Sequence, residues 1–475
     1  MTNAHYVSRV VRGRAPSVSD AIKLPSLELV LIAFFGVALW FGGGASAADV
    51  WGQVLVRGVS TSCLVIVLLF GARPSWRLDR PAILFVSAAL ALVLVQLIPL
   101  PPAIWGHLPG RAPFVHAAAL AGQAQPWRPI AIVPSGAENA AGSLIVPLAA
   151  VVLLAALRPT ERKWMSAGLL VLITGAALVG LVQSTASTYQ NPLINDVPGV
   201  VSGVFANRNH FSLFLAVGCV LAPAWACSQP QRGLSWRGPL ALGMVLLFSV
   251  LIVVSGSRAG IPLGGLAVVA GVMLVSAPIR AALRGYPRWV FPLMALLVAT
   301  GMGSVIWASL SANRALAINR AIEEDVAGDI RLQAAPTIWE MTWHYFPAGS
   351  GAGGFDPIFR IHEPFSLLNL TYLNHAHNDF AEILLDNGAA GALLLLLGVL
   401  WWGWGSWCAW RAWFAEQSPD ALLPCAASVA LFLIGLASLV DYPARTPLMM
   451  SLLVLLSGWL NSPSVRRADA ARKDH

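Results

Sequence analysis

Apolar runs long enough to cross a bilayer, which takes roughly 20 residues as a helix, recur along almost the whole chain. They fall at 27–47, 52–71, 81–102, 141–157, 164–186, 209–227, 238–255, 260–278, 289–310, 388–410, 421–440 and 445–460. Several contain Gly or Pro (Gly175, Pro262, Pro292), which packed neighbouring helices tolerate in lipid. Most connections are short, with two exceptions, 103–140 and 311–387. The pattern predicts an all-α, polytopic helical membrane protein of about 12 transmembrane helices, with one large loop between spans nine and ten. Its expected parts are a basic tail (1–26), a membrane domain of nine spans (27–310), the large loop (311–387), three further spans (388–461) and a second tail (462–475). The first span ends in Ala45-Ser46-Ala47 after a basic tail, so it also resembles a signal peptide. The length of that tail favours an uncleaved helix.

Composition agrees with the pattern. Hydrophobic residues make up 57% of the chain and charged residues 11%, about half the charged share of an ordinary soluble protein. With a mean hydropathy of +0.70, a water-soluble enzyme is excluded. The net charge of +8 reads through its placement. With twelve spans and both termini on one side, that side holds 20 of the 30 basic residues against 8 acids, a balance of +12 against −4 on the other. Lys and Arg concentrate in cytoplasmic loops, so both termini are expected in the cytoplasm and the large loop outside it. All five cysteines lie in or beside spans, and no pair has metal-ligand spacing, which argues against a disulfide framework. Six of the 19 tryptophans crowd 401–413, as an interfacial aromatic belt would.

Four outward sites carry candidate chemistry. Phe205-Ala-Asn207-Arg208-Asn209-His210-Phe211 opens span six, and Ser255-Gly-Ser257-Arg258-Ala-Gly260 turns between spans seven and eight. Asp329-Ile-Arg331 precedes an expected amphipathic helix with Ile338, Trp339, Thr342, Trp343 and Phe346 on one side, and Asn374-His375-Ala-His377-Asn378-Asp379 runs into Glu382, Asp386, Gly388 and Gly391. Arg258 sits between two apolar helices, where an arginine costs roughly 2.5–3.5 kcal/mol if driven into lipid. It reads either as a snorkelling interfacial residue or as a fork for a phosphate, with serine and glycine donors around it. Asp379 and Glu382 read as an N-cap and its partner, so a helix is expected just after His377. The positive end of that helix favours a neutral imidazole, a competent general base. A zinc site at His375-x-His377 rests on a weak pattern whose rings point apart if the segment is extended. The Gly349–Gly354 run reads as a turn or a phosphate wrap, and no P-loop, dinucleotide fingerprint or serine-hydrolase elbow is present.

His377-Asn378, nine residues, then Gly388-x-x-Gly391 resembles the signature of the bacterial O-antigen ligase family, which includes polysaccharide polymerases and protein O-oligosaccharyltransferases. The Ser257-Arg258 turn and the loop through Arg331 and Gly349–Phe355 look like the same family, over about residues 200–460. At 207–209 the chain has Asn-Arg-Asn where relatives are expected to carry Asn-Pro-Asn, so Arg208 inherits no role but adds a third cation. The resemblance implies a metal-independent, cofactor-free membrane glycosyltransferase of the inner membrane. It would move a glycan from undecaprenyl pyrophosphate to a hydroxyl on a glycan or glycolipid acceptor at the periplasmic face, with membrane lipids as partners and no nucleic acid. By the same resemblance His377 is the catalytic base and Arg258 and Arg331 hold the pyrophosphate; Arg208, Asn207, Ser257, His375 and Asn378 are expected to bind substrate. The competing reading is a multi-pass transporter of a small solute or lipid-linked sugar, which would place charges near mid-membrane. Ligase and polymerase differ only in the acceptor, with a slight lean towards polysaccharide over protein as its class.

Overall fold

The computed structural model describes residues 24–76, 79–185, 189–228, 236–283, 287, 289, 330–368, 373–416 and 419–461. The helices are α1 (Leu27–Gly42), α2 (Trp51–Phe70), α3 (Arg80–Gln96), α4 (Pro102–Trp105), α5 (Ala112–Leu120), α6 (Pro134–Ser143), α7 (Ile145–Ala156), α8 (Pro159–Arg162) and α9 (Met165–Thr185). They continue as α10 (Arg208–Cys227), α11 (Arg237–Val254), α12 (Gly260–Leu274), α13 (Ser276–Leu283), α14 (Ile330–Tyr345), α15 (Phe355–His362), α16 (Asp379–Glu416), α17 (Pro419–Ala437) and α18 (Pro447–Leu460). Pro99–Leu100 pairs antiparallel with Arg128–Pro129 in a two-residue ribbon. Among the described residues seven helical stretches are long and apolar enough to cross a membrane: α2, α6 with α7, α8 with α9, α10, α11, α16 and α17. Helices α1, α3, α12 and α18 are apolar but shorter, and each falls in an expected span. Residues 290–310 of expected span nine lie outside the described residues, as does Asp329.

Helix α10 is the pillar of the bundle, with 89% of its apolar window buried. It packs against α9, α11, α12 and α17. Small residues allow this close approach, as they do between helices in lipid. A Cβ on Gly218 would stand 2.6 Å from the Phe248 ring, and one on Gly260 would stand 2.4 Å from Ser212. A second apolar cluster joins α1, α2, α7 and the foot of α18.

The large loop has a core of its own. Ala334, Ile338, Met341 and Tyr345 of α14 pack on Phe355, Ile358 and Phe359 of α15 and on Leu367, Leu373 and Leu385. The expected helix is there, but its apolar side divides: Ile338 and Thr342 face the core, whereas Trp339 and Trp343 are both 56% exposed. Spacing alone could not separate two adjacent stripes on one helix. Fully buried Arg111, from the 103–140 loop, donates to the carbonyls of Pro109, Ile130 and Gly349, which ties the two long loops together.

Helix α16 is broken at Gly388, whose φ of 53° and ψ of −137° are not helical. A break releases carbonyls that must find other donors. The glycine-rich loop supplies them: Ser350 N donates to Leu385 O (2.8 Å), Gly351 N to Asp386 O (2.9 Å), and Ala389 N returns a bond to Pro347 O (2.9 Å). Gly349–Gly354 therefore wraps a broken helix. Gly349, Gly351 and Gly353 have positive φ, and a Cβ on Gly388 would lie 2.0 Å from the Pro347 oxygen. Gly388→Ala is expected to destabilise the protein by about 3 kcal/mol, read as a fall in melting temperature of the detergent-solubilised chain. Gly403→Ala, in open space on the same helix, should leave that temperature unchanged or raise it slightly.

Candidate active site

The break in α16 leaves a short helical start, Asp379–Asn387, carrying the histidine segment at its head. Asn378 is the N-cap: its side-chain oxygen accepts from Ala381 N at 3.0 Å. The cap expected at Asp379 thus lies one residue earlier, because Asp379 is turned towards Ser438 and Arg445. Glu382 does not close a capping box either. It accepts from Ala376 N (2.8 Å) and pairs with His375 Nδ1 (2.9 Å). His377 has a φ of 49°, the one positive value among described non-glycine residues, a conformation that turn residues adopt at a cost. The segment is pinned to the α17–α18 connection, since Asn378 Nδ2 donates to Leu439 O (3.0 Å) and Asp379 N to Ser438 O (2.9 Å).

His377 meets Asp441 from that connection, Nδ1 to Oδ1 at 3.2 Å. The carboxylate is buried, and its other oxygen accepts from Asn207 Nδ2 (2.9 Å) and Asn209 Nδ2 (2.7 Å). Tyr442 N donates to Oδ1 at 3.0 Å, and His210 Nε2 stands 3.8 Å from the same atom. Ser257 in turn donates to Asn209 Oδ1 at 2.7 Å, which brings the Ser257-Arg258 turn to the site. Burial holds the His377 pKa below the usual histidine value; the hydrogen bond with Asp441 acts upwards against it and the Arg331 guanidinium acts downwards with it. Burial alone would push the Asp441 carboxyl up, but the His210 imidazole, the His377 bond and Arg331 outweigh it and keep it ionised. An ionised carboxylate on Nδ1 fixes the tautomer, leaving the Nε2 lone pair for a substrate proton.

Beneath this pair lies a second cluster. Arg445 reaches Glu382 (3.1 Å), Asp379 (3.5 Å) and Asp386 (3.6 Å), three buried carboxylates on the start of α16. Tyr442 separates the two clusters, its ring 4.4 Å from that of His375 and 4.8 Å from that of His377. Burial, with the neighbouring Asp441 charge, pushes the Tyr442 phenol up to about 12, so it stays neutral.

Of the residues singled out in the sequence, the fold brings His377, Arg331, Asn207 and Ser257 to one place. Arg258 follows Ser257 there and is half-buried, as are Arg208 and Arg331. His375 turns to Glu382 instead of beside His377, and Asn378 is engaged as a cap. Sequence reasoning missed Asp441, Tyr442 and Arg445 and gave no role to Asn209 or His210. A signal was available: an acid and an arginine in the few residues between two apolar spans invite the argument applied to Arg258.

Residues 243–396 match the family described as O-antigen ligase, about a third of the chain. No curated protein matches the chain. The matched stretch contains the Ser257-Arg258 turn, Arg331, the glycine-rich loop and the His377 segment through Gly391; Asn207–His210 and Asp441–Arg445 lie outside it and join it only through the fold. The resemblance read from the sequence is therefore met. Residues 243–396 form an O-antigen ligase domain, the apolar helices fit a polytopic helical membrane protein, and the match supports a membrane glycosyltransferase of the ligase and polymerase type.

Removing Arg445 would leave three buried carboxylates without their cation. Arg445→Met is expected to cost about 3–5 kcal/mol, measured by thermal unfolding in detergent, whereas Arg445→Lys should recover part of that loss.

Proposed function

We propose that the chain transfers a glycan from undecaprenyl pyrophosphate to an acceptor hydroxyl at the periplasmic face of the inner membrane, with both termini in the cytoplasm. The observation that carries this reading is the His377–Asp441 pair beside Arg331. His377 Nε2 takes the proton of the acceptor hydroxyl as its oxygen attacks the anomeric carbon. The bond from that carbon to the pyrophosphate breaks, and the electron pair leaves on the pyrophosphate. Arg331 and Arg258 meet the charge that develops there, with Arg208 as a third cation nearby. Asp441 is a positioning residue: it holds the His377 tautomer and balances the imidazolium as it forms. Asn207 and Asn209 support Asp441, and Ser257 supports Asn209. The lean remains towards a glycan or glycolipid acceptor over a protein. Among the described residues the buried acids Asp379, Glu382 and Asp386 gather on Arg445 next to the His377–Asp441 pair, an arrangement suited to chemistry at one face.

A placed base contributes about 10²–10⁴-fold, so His377→Ala should reduce transfer by that factor while inserting in the membrane normally. The assay follows consumption of undecaprenyl-pyrophosphate-linked glycan by membranes containing each variant; undiminished transfer would defeat the mechanism. Arg258→Lys and Arg331→Lys should each lower transfer, because an ammonium cannot replace a bidentate fork.

Catalysis needs neutral His377. Its lowered pKa means the rate rises with pH through an acid limb below the usual histidine value and is level at neutral pH. Asp441 acts upwards on that pKa, so in Asp441→Asn the limb should move to lower pH. The plateau rate should also fall, by roughly 10²-fold or more, as the tautomer is no longer held. A pH–rate profile of both proteins checks the direction.

A further inference from the structure

Helix α2 carries an arginine inside its apolar run. Arg57 follows Trp51 by six residues, about 9 Å at the rise of a helix. The face of α2 beside it is exposed and apolar, with Trp51, Val54 and Val65. An ionisable side chain within a spanning helix points to a site, and the protein does little to satisfy this one. Nη2 donates to Asn139 Oδ1 of α6 at 2.8 Å, and Nε is buried without a partner. Among the described residues no carboxylate pairs with the guanidinium, exposed Glu138 of α6 included. Gly142 makes room for it, since a Cβ there would stand 3.3 Å from Nη1. Side chains tilt towards the start of their helix, so Arg57 leans back towards Trp51, as an arginine does when it reaches from hydrocarbon to headgroup level. That end of α2 is the end that carries the candidate site: Gly52 N donates to Leu193 O (2.8 Å), and Ala206 N, next to Asn207, donates to Gly44 O (3.1 Å). The two places are nevertheless separate. Helix α2 packs on α1, α6 and α7, whereas Ser257, Arg331 and His377 belong to other elements.

We infer that Arg57, held on α6 by Asn139, binds the phosphate of a membrane lipid at a site separate from the arginines proposed for the pyrophosphate. A guanidinium has five N–H donors and keeps its charge, and this one spends a single donor on the protein. Near the start of a spanning helix the acceptors within reach belong to lipid headgroups, and the anion among them is phosphate, whose oxygens the planar fork matches. Asn139 and Gly142 set the fork in place beforehand, so little side-chain freedom is lost on binding. The exposed apolar face of α2 lies alongside for the acyl chains. The phosphate can be that of a phospholipid or of a phosphorylated glycolipid, since both present the same group. The site is independent of the reaction proposed for His377.

The experiment uses the full chain in a phosphate-free maltoside detergent, with phosphatidylglycerol carrying a photoreactive diazirine at the start of one acyl chain. Labelling is expected on peptides from 51–61 and 134–143. Excess unlabelled phosphatidylglycerol should displace it, and diacylglycerol, which lacks the phosphate, should not. Arg57→Gln should reduce labelling about tenfold through one lost charge-assisted contact. Gly142→Val keeps the arginine and covers Nη1, the only group a Cβ there approaches, so it should reduce labelling to a similar degree. Arg280→Gln, at an exposed arginine of α13, should leave it unchanged. Displacement by a phosphorylated glycolipid at lower concentration than by phosphatidylglycerol assigns the phosphate to a glycolipid, and the reverse order assigns it to a phospholipid; either supports the site. Labelling undiminished in Arg57→Gln or in Gly142→Val, displacement by diacylglycerol, or displacement by polyprenyl pyrophosphate at lower concentration than by either lipid overturns the inference.

Discussion

A carboxylate taken out of water must be surrounded by donors or it will not remain a carboxylate. Asp441 meets that demand with two asparagines from the head of α10, a backbone N–H and the His377 ring. The His377 ring lies 64 residues earlier in the chain and the two asparagines more than 230 residues earlier. Satisfying one buried charge thus fixes the relative position of the α10 head, the α17–α18 connection and the histidine segment. Ser257 enters through Asn209, so the turn that bears Arg258 is held by the same carboxylate at one remove. The chemistry proposed for His377 uses what this constraint produces, a ring of fixed tautomer with one nitrogen left for a substrate.

A second constraint holds that ring at its height. A helix running unbroken from Asp379 would leave Pro347–Gly353 without its partners and direct the histidine turn elsewhere. Gly388 lets the helix break, and the glycine-rich loop takes over the released backbone groups. Gln96 reinforces the join: it donates to Asn387 Oδ1 at 3.0 Å and accepts from Ala352 N at 2.8 Å. The short helix so created carries three buried acids, and Arg445 gathers them. Tyr442 stands between the two clusters as a neutral wall, keeping the His375–Glu382 pair apart from the His377–Asp441 pair.

The loop helices α14 and α15 beside the candidate site have a small core of their own. An apolar groove between α3, α16, α17 and α18 has Asp379, Ser438 and Ala444 among its lining residues, so it borders the Arg445 cluster.

The chain alone determined the membrane class, the position of most spans, and the residues from Ser257 to Gly391 that carry the family resemblance. Hydropathy is summed over neighbours in sequence, and a helix in lipid satisfies its own backbone, so local composition suffices for these. The expected tenth span starts at residue 388, but the break that the helix makes there was not read from the sequence. What only the tertiary structure decided is who partners whom. Asp441 and Arg445 sit in a connection too short to show a pattern, and neither resembles a motif. Two exposed tryptophans were indistinguishable by spacing from the core face beside them, and the cap moved from Asp379 to Asn378 because a distant serine and arginine claimed the aspartate. Charge pairing and close packing depend on distances between segments far apart in the chain, and no local pattern records those distances.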